Sequence, residues 1–354
     1  MTNVVLSAEN LSIGYPARRG QCRVIAKDLQ LHLRRGEVVC LLGPNGAGKS
    51  TLLRTLTGMQ PPLAGRIWLD GQDLRTFSAR ELARRMSVVL TERVEVGPLT
   101  AYALVALGRH PYTGWTGRLR PHDEAIVRWA LEAVHAAHLA RRMVHELSDG
   151  ERQRIMVARA LAQEPLVMVL DEPTAFLDLP RRVEIMQLLR RLAREARQAM
   201  ILSTHDLELA LNMADVLWLL TADGTFYCGA PEDLVLKGVL ETIFADTGMV
   251  FDRMRGQFRM HQTMRRRANL TGDGLAKIWT ARALERAGWQ VVELPPAEAH
   301  VTIIGDSHQP SWELSVNGAP KQQFTSLYAV VHWLRQQCQE EEQHERHARA
   351  TDCA

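Results

Sequence analysis

With 354 residues, 46% of them hydrophobic, the chain is long enough for one large domain or two ordinary ones with substantial cores. Lys plus Arg number 43 against 40 for Asp plus Glu, and a net charge of +3 is too small for this length to draw polyanions in general, so no nucleic-acid partner is expected. The start MTNVVLSAENLS lacks the basic start and apolar core of a secretory signal, no stretch approaches about 18 uninterrupted apolar residues, and the five cysteines (Cys22, Cys40, Cys228, Cys338, Cys353) are scattered without disulfide or metal spacing; a reducing cytoplasm is expected.

From residue 4 to about 250, short apolar runs alternate with amphipathic stretches, the pattern of an α/β domain with a mostly parallel sheet. The apolar run Val38 to Leu42 reads as a strand buried on both faces. GPNGAGKST follows it, from Gly43 to Thr51, and opens a helix. Gly43, Gly46 and Gly48, with Pro44, Asn45 and Ala47 between them, let the backbone curl so that its amides and the helix N-terminus face a phosphate group. Lys49 then neutralises the outer phosphates, and Ser50 offers a hydroxyl to Mg²⁺. This is a nucleoside triphosphate site by motif and by setting.

A strand is expected at Ser87 to Leu90, leading into Thr91 and Glu92. Residues 100 to 145 are Ala- and Leu-rich, interrupted by Pro111, Gly114, Gly117 and Pro121, and read as a helical insertion that extends to about 160 with the helix after it. That helix begins at Leu147, Ser148, Asp149, Gly150 and Glu151, where the S-x-x-E spacing predicts a capping box with Ser148 as cap. A second buried strand, Leu166 to Leu170, delivers Asp171 and Glu172 at its end. Asp171 suits the shell of a Mg²⁺ ion and Glu172 the activation of a water. A helix over 178–197 is predicted from Val183, Met186, Leu189, Leu192 and Ala193 at helical spacing, and a third strand, Ala199 to Ser203, precedes His205.

After about residue 252 the character changes through the run Arg265, Arg266, Arg267 and the turn Gly272, Asp273, Gly274 into a helix ending at Gly288. Strands are expected at Gln290 to Leu294, Val301 to Ile304 and Trp312 to Val316, with Asn317 and Gly318 as a hairpin turn and a helix from Phe324 to Arg335. The expectation is therefore a nucleotide-binding domain over 1–250, a small α+β module over 252–338 and a flexible, charged tail over 339–354.

Together, the loop GPNGAGKST, the segment LSDGE and the segment LDEPTAFLD resemble the ATP-binding cassette of ABC transporters, over most of residues 4 to 245. The resemblance implies a P-loop fold of mostly parallel sheet with antiparallel β and helical subdomains. It implies that Tyr15 stacks on adenine, that Ser148, Asp149, Gly150 and Glu151 stand for a signature usually reading LSGGQ, that Asp178 lies in a loop crossing a subunit interface, and that His205 touches the γ-phosphate. Two departures stand out. Glu92 occupies the place of a glutamine that serves the metal and water, and Asp149 and Glu151 add negative charge to the signature. In this family two copies close head to tail on two MgATP, each nucleotide held by Lys49 and Ser50 of one copy and by the signature of the other.

Within the family, Leu104 to Pro111 and GAPEDLV, Gly229 to Val235, resemble importers of ferric siderophores, with haem and cobalamin importers as alternatives. A soluble non-transport ABC protein is the other alternative, which usually has two nucleotide domains or a long coiled coil, and neither is found here. The resemblance implies a permease docking on residues 92–118, with Arg109, Tyr112 and Trp115 at the rim, an extracytoplasmic binding protein acting through that permease, and a place at the cytoplasmic face of a bacterial plasma membrane.

Overall fold

The computed structural model describes residues 3–16, 22–90, 97–244, 249–254, 256–260, 266–294, 296–305 and 309–337, so the expectations for Glu92 and for the 339–354 tail lie outside the described residues. The chain divides into two units, Met1–Thr247 with Phe251–Phe258, and Gly248–Val250 with Arg259–Ala354.

In the first unit, β1 (Val4–Tyr15) pairs antiparallel with β2 (Arg23–Arg34) and, on its other edge, with β4 (Ala64–Leu69), which continues into β5 (Gln72–Asp73). Between them in sequence lie β3 (Val38–Leu42) and α1 (Lys49–Leu56). After α2 (Ala79–Ala83) comes β6 (Met86–Val89). The helical subdomain follows, with α3 (Ala101–Ala106), α4 (Pro121–Ala133) and α5 (Asp149–Leu161). The chain then builds β7 (Val167–Leu170), α6 (Leu179–Glu195), β8 (Ala199–Ser203), α7 (Leu207–Met213), β9 (Val216–Leu220), β10 (Phe226–Gly229), α8 (Pro231–Leu236) and α9 (Val239–Phe244); a two-stranded pair follows, β11 (Met249–Asp252) with β12 (Gln257–Met260), of which only Phe251–Phe258 belongs to the first unit.

The central sheet has the order β10-β9-β3-β8-β7-β6, parallel except for β10. Every residue of β3, β7 and β8 is buried, which is why these strands read as unbroken apolar runs and show no alternation. Period two survives in what each side chain meets: Val38, Cys40 and Leu42 pack with α3 to α6, whereas Val39 and Leu41 pack with α1 and the antiparallel sheet. The sheet is thus filled from both sides, and only the strand ends are free for chemistry.

Arg109 does not stand at a rim. It is 1% exposed, its Nε donates to Asp123 Oδ1 at 3.0 Å, and its Nη1 donates to the Ala162 carbonyl at 2.8 Å and to Glu164 Oε2 at 2.7 Å. The guanidinium also lies 3.9 Å from the Tyr112 ring centre. A planar, five-donor cation is the group that satisfies three acceptors at once, so Arg109 ties α4 to the end of α5. Trp115, in contrast, is fully exposed.

In the second unit the sheet order is β14-β13-β15-β16-β17, built from β13 (Arg266–Thr271), β14 (Trp289–Val292), β15 (Ala299–Ile304), β16 (Ser311–Val316) and β17 (Gln322–Phe324), with α10 (Gly274–Arg286) and a helix α11 over 327–337. One strand was not expected and one expectation needs correction. Arg266 and Arg267 open a strand, β13, whose buried Ala268 and Leu270 enter the core of this unit. Phe324 ends a strand and does not begin a helix, because the Ser326 hydroxyl caps the helix by accepting from the Ala329 amide at 3.2 Å.

Replacing Arg109 by Met fills the space but leaves the buried Asp123 carboxylate with the Arg120 amide and no charge partner, a loss of about 3–5 kcal/mol. Thermal unfolding is expected to show a melting temperature lowered by several degrees, and Asp123→Asn combined with Arg109→Met is expected to recover part of that loss.

Candidate functional site

The loop after β3 is shaped by how closely it passes its neighbours. A Cβ at Gly43 would lie 2.1 Å from the Leu220 carbonyl oxygen, and one at Gly48, where φ is +103°, would lie 2.3 Å from Ile25 Cγ2. Only glycine fits either place. Gly48 is also the cap of α1 and has no side chain, so no side chain consumes the first-turn amides of that helix. Asn45 and Gly46 form the exposed tip, and Ala47 is buried beneath it, its amide donating to the Pro44 carbonyl at 3.2 Å.

Lys49 is 7% exposed, and its ammonium donates to the carbonyls of Gly43 at 2.7 Å and Pro44 at 3.1 Å. Burial pulls its pKa below the ordinary lysine value, and the carboxylates of Glu172 and Asp171 partly offset this. Ser50 Oγ donates to Asp171 Oδ2 at 3.4 Å. Thr51 Oγ1 and the Tyr15 hydroxyl are 2.9 Å apart, which brings the half-exposed ring at the end of β1 alongside α1.

Asp171 and Glu172 leave the end of β7 beside β8, and there the structure adds a residue that motif reading missed. The hydroxyl of Ser203, fully buried at the end of β8, donates to Asp171 Oδ1 at 2.6 Å and accepts from the Glu172 amide at 2.8 Å. Glu172 has φ +50°, a left-handed conformation that costs a non-glycine residue about 1–2 kcal/mol, and the hydrogen bond from its amide to the Ser203 hydroxyl helps to hold it there. Its Oε1 lies 2.5 Å from His205 Nε2. Lys49, Ser50, Asp171, Glu172 and His205 therefore share one edge of the sheet, the C-terminal ends of β3, β7 and β8.

A second group gathers at the start of α5. Ser148 caps the helix, and the predicted capping box forms: Glu151 Oε2 accepts from the Ser148 amide at 2.9 Å and from its hydroxyl at 2.8 Å. These bonds hold the Glu151 carboxyl below the usual glutamate range. Asp149 is exposed in the first turn and Gly150 is buried. Asp178 caps α6, its Oδ1 accepting from the Arg181 amide at 3.2 Å, and Arg181 Nη1 reaches back to donate to Ser148 Oγ at 3.2 Å.

A hydroxyl and a carboxylate side by side, Ser50 and Asp171, suit Mg²⁺, which takes one or two protein oxygens and completes its shell from phosphates and water. No cluster of three or more His, Cys, Asp or Glu side chains occurs among the described residues, so the donor set does not resemble an all-protein metal cage.

Two family models match the chain: ABC transporter over residues 26–175, and iron ABC transporter C-terminal domain over residues 265–335. An uncharacterised ABC transporter ATP-binding protein of Methanocaldococcus jannaschii is 41% identical over 256 residues, 72% of this chain and 87% of that protein. The ferric enterobactin transport ATP-binding protein of Escherichia coli is 36% identical over 70% of this chain and 89% of its own length, and the iron(3+)-hydroxamate import ATP-binding protein of Bacillus subtilis 36% over 68% and 87%. Among solved structures, a metal-chelate type ABC transporter in an inward-facing conformation is 28% identical with a TM-score of 0.59, over 69% of this chain and 90% of that one. A dimeric bacterial ABC transporter cassette is 25% identical with a TM-score of 0.54, over 64% and 98%. With this fold, this set of side chains and relatives matched over most of their length, the chain belongs to the ATP-binding, ATP-hydrolysing subunits of ABC transporters.

Proposed function

We propose that two copies of this chain close head to tail on two MgATP and so drive an importer of ferric siderophores. Lys49, Ser50 and the backbone amides from Asn45 to Thr51 hold the phosphates of one nucleotide, with Tyr15 against its base, while Ser148, Asp149, Gly150 and Glu151 of the other copy meet the terminal phosphate and Asp178 lines the interface. Glu172 takes a proton from the attacking water and His205 steers the water and the γ-phosphate. A magnesium ion held by Ser50 and Asp171 supplies positive charge to the phosphate oxygens. Closure on ATP and release on hydrolysis give the two states whose difference in nucleotide affinity moves a partner.

The observation that carries this reading is the joint anchoring at one sheet edge: Ser50 against Asp171, Ser203 beneath Asp171 and Glu172, and His205 against Glu172. The dimeric cassette among the similar structures supports the pairing. Support for the cargo comes from the relatives named for ferric enterobactin and iron(3+)-hydroxamate and from the match to an iron transporter C-terminal domain. A membrane permease docks on the helical subdomain within residues 92–118, of which 92–96 lie outside the described residues; Trp115 is its exposed anchor. No helix among the described residues is long and apolar enough to cross a membrane, so that permease supplies the path. An extracytoplasmic binding protein hands over the cargo, and this chain works at the cytoplasmic face of the plasma membrane.

Glu172→Gln is expected to retain MgATP but to turn it over on the order of 10² times more slowly, or worse; phosphate release near the parent rate contradicts the assigned role. Ser203→Val leaves the Asp171 carboxylate and the Glu172 amide without their shared partner, a loss of about 1–3 kcal/mol. Steady-state kinetics should then show a lowered kcat with KM for ATP little changed, and Ser203→Thr, which keeps the hydroxyl, should recover most of the rate. In proteoliposomes with the permease, ATP-driven uptake of a ferric catecholate or hydroxamate is expected; uptake of haem or cobalamin alone would reassign the cargo.

A further inference from the structure

The two acidic replacements in the signature segment pose a problem. Asp149 and Glu151 stabilise the start of α5 through the helix dipole, yet the same charges repel the phosphate that this helix end is to receive. Glu151 also engages the Ser148 hydroxyl as its acceptor, at 2.8 Å. With its hydrogen directed to Glu151, Ser148 Oγ has only lone pairs left, and one of them accepts from the Glu151 amide at 3.4 Å.

Arg181 answers both effects. It projects from the first turn of α6, where its amide donates to Asp178 Oδ1, and its Nη1 donates to Ser148 Oγ at 3.2 Å. A methyl group placed on Gly150 would lie 3.0 Å from Arg181 Nη1 and 3.1 Å from Cδ, so the arginine side chain lies directly over that glycine. The side chain is 47% exposed, open enough to meet an incoming anion. Arg142 flanks Glu151 from another direction, its Nη1 3.7 Å from Oε1. Two arginines thus bracket an end of α5 that carries two carboxylates.

Resting on the head-to-tail reading above, we propose that Arg181 is the positioning residue of the signature segment in this chain: it holds the Ser148 hydroxyl, offsets the charge of Asp149 and Glu151, and makes the start of α5 receptive to the terminal phosphate of the nucleotide bound by the other copy. A guanidinium fork suits phosphate oxygens better than a point charge does. The arginine acts in closure and not in the first capture of nucleotide, because it belongs to the group around α5 and α6.

The test uses the full chain in a Glu172→Gln background, which blocks turnover, with dimerisation followed by analytical ultracentrifugation in MgATP and nucleotide capture by the dilute monomer followed with a fluorescent ATP analogue. The parent is expected to dimerise. Arg181→Gln should weaken the dimer by roughly tenfold while monomer affinity for the analogue stays within about twofold. Adding Asp149→Gly should restore most of the dimer affinity, and Arg181→Lys should restore part of it. A dimer of parental strength in Arg181→Gln overturns the proposal, as does a loss that Asp149→Gly fails to relieve, since that loss would come from packing and not from charge. A parent that stays monomeric at every MgATP concentration sinks the head-to-tail reading itself, and the proposal with it.

Discussion

Three neighbouring parallel strands, β3, β8 and β7, impose the constraint on which the site depends. The phosphate loop grows from the first and the carboxylate pair from the third, separated in sequence by the whole helical subdomain. Only the strand between them sets their distance. That strand ends in Ser203, whose hydroxyl joins Asp171 to the Glu172 amide, and Asp171 in turn meets Ser50 from the loop. Because every residue of these strands is buried, a one-residue shift of register would send each side chain into the core on the opposite face, where the space is shaped for another. The core thereby fixes the spacing of groups that lie outside it.

Electrostatics in this edge are arranged around one buried cation. The Lys49 ammonium is desolvated, which weakens its hold on its proton, and the nearby carboxylates of Glu172 and Asp171 work in the opposite direction. It meanwhile donates to two loop carbonyls, Gly43 and Pro44, and these bonds satisfy it within the loop itself. The left-handed Glu172 adds stored strain beside the Asp171 carboxylate, held in part by the same serine that orients Asp171.

What the sequence revealed follows from what is local. The phosphate loop, the capping box at Ser148 and the buried strands were legible because each depends on spacing within one segment, and each forms at or within a residue or two of the expected place. Ser203 was invisible because its role exists only once β7 and β8 are neighbours; in sequence it is one more small residue at the end of an apolar run. Arg109 was misjudged for the same reason: its three acceptors come from α4 and from the chain beyond α5, so nothing adjacent in sequence marks it as buried. In the second unit, β13 was hidden by the arginines that open it. One of them, Arg266, lies 5.8 Å from the Trp289 ring centre on the paired strand, so its charge is compatible with a half-buried place.

The Arg109 cluster also bears on how the proposed permease surface and the signature could move together. The loop with Pro111 and Thr113 is pinned by Arg80 and Arg84, whose side chains donate to its carbonyls. Tyr112 donates to the Gln163 carbonyl at 3.0 Å, and the Gln163 side chain donates to the Met86 carbonyl at 2.7 Å, at the start of β6. These bonds fasten the neighbourhood of Trp115 to the C-terminal end of α5. Ser148 caps the opposite end of that 13-residue helix, roughly 20 Å away at 1.5 Å per residue. A helix of this length does not compress, and a close-packed subdomain transmits displacement as a body. Force applied near Trp115 would therefore be shared between α5, which leads to Ser148, and the elements that Arg80, Arg84 and Gln163 tie to the same loop, α2 and β6.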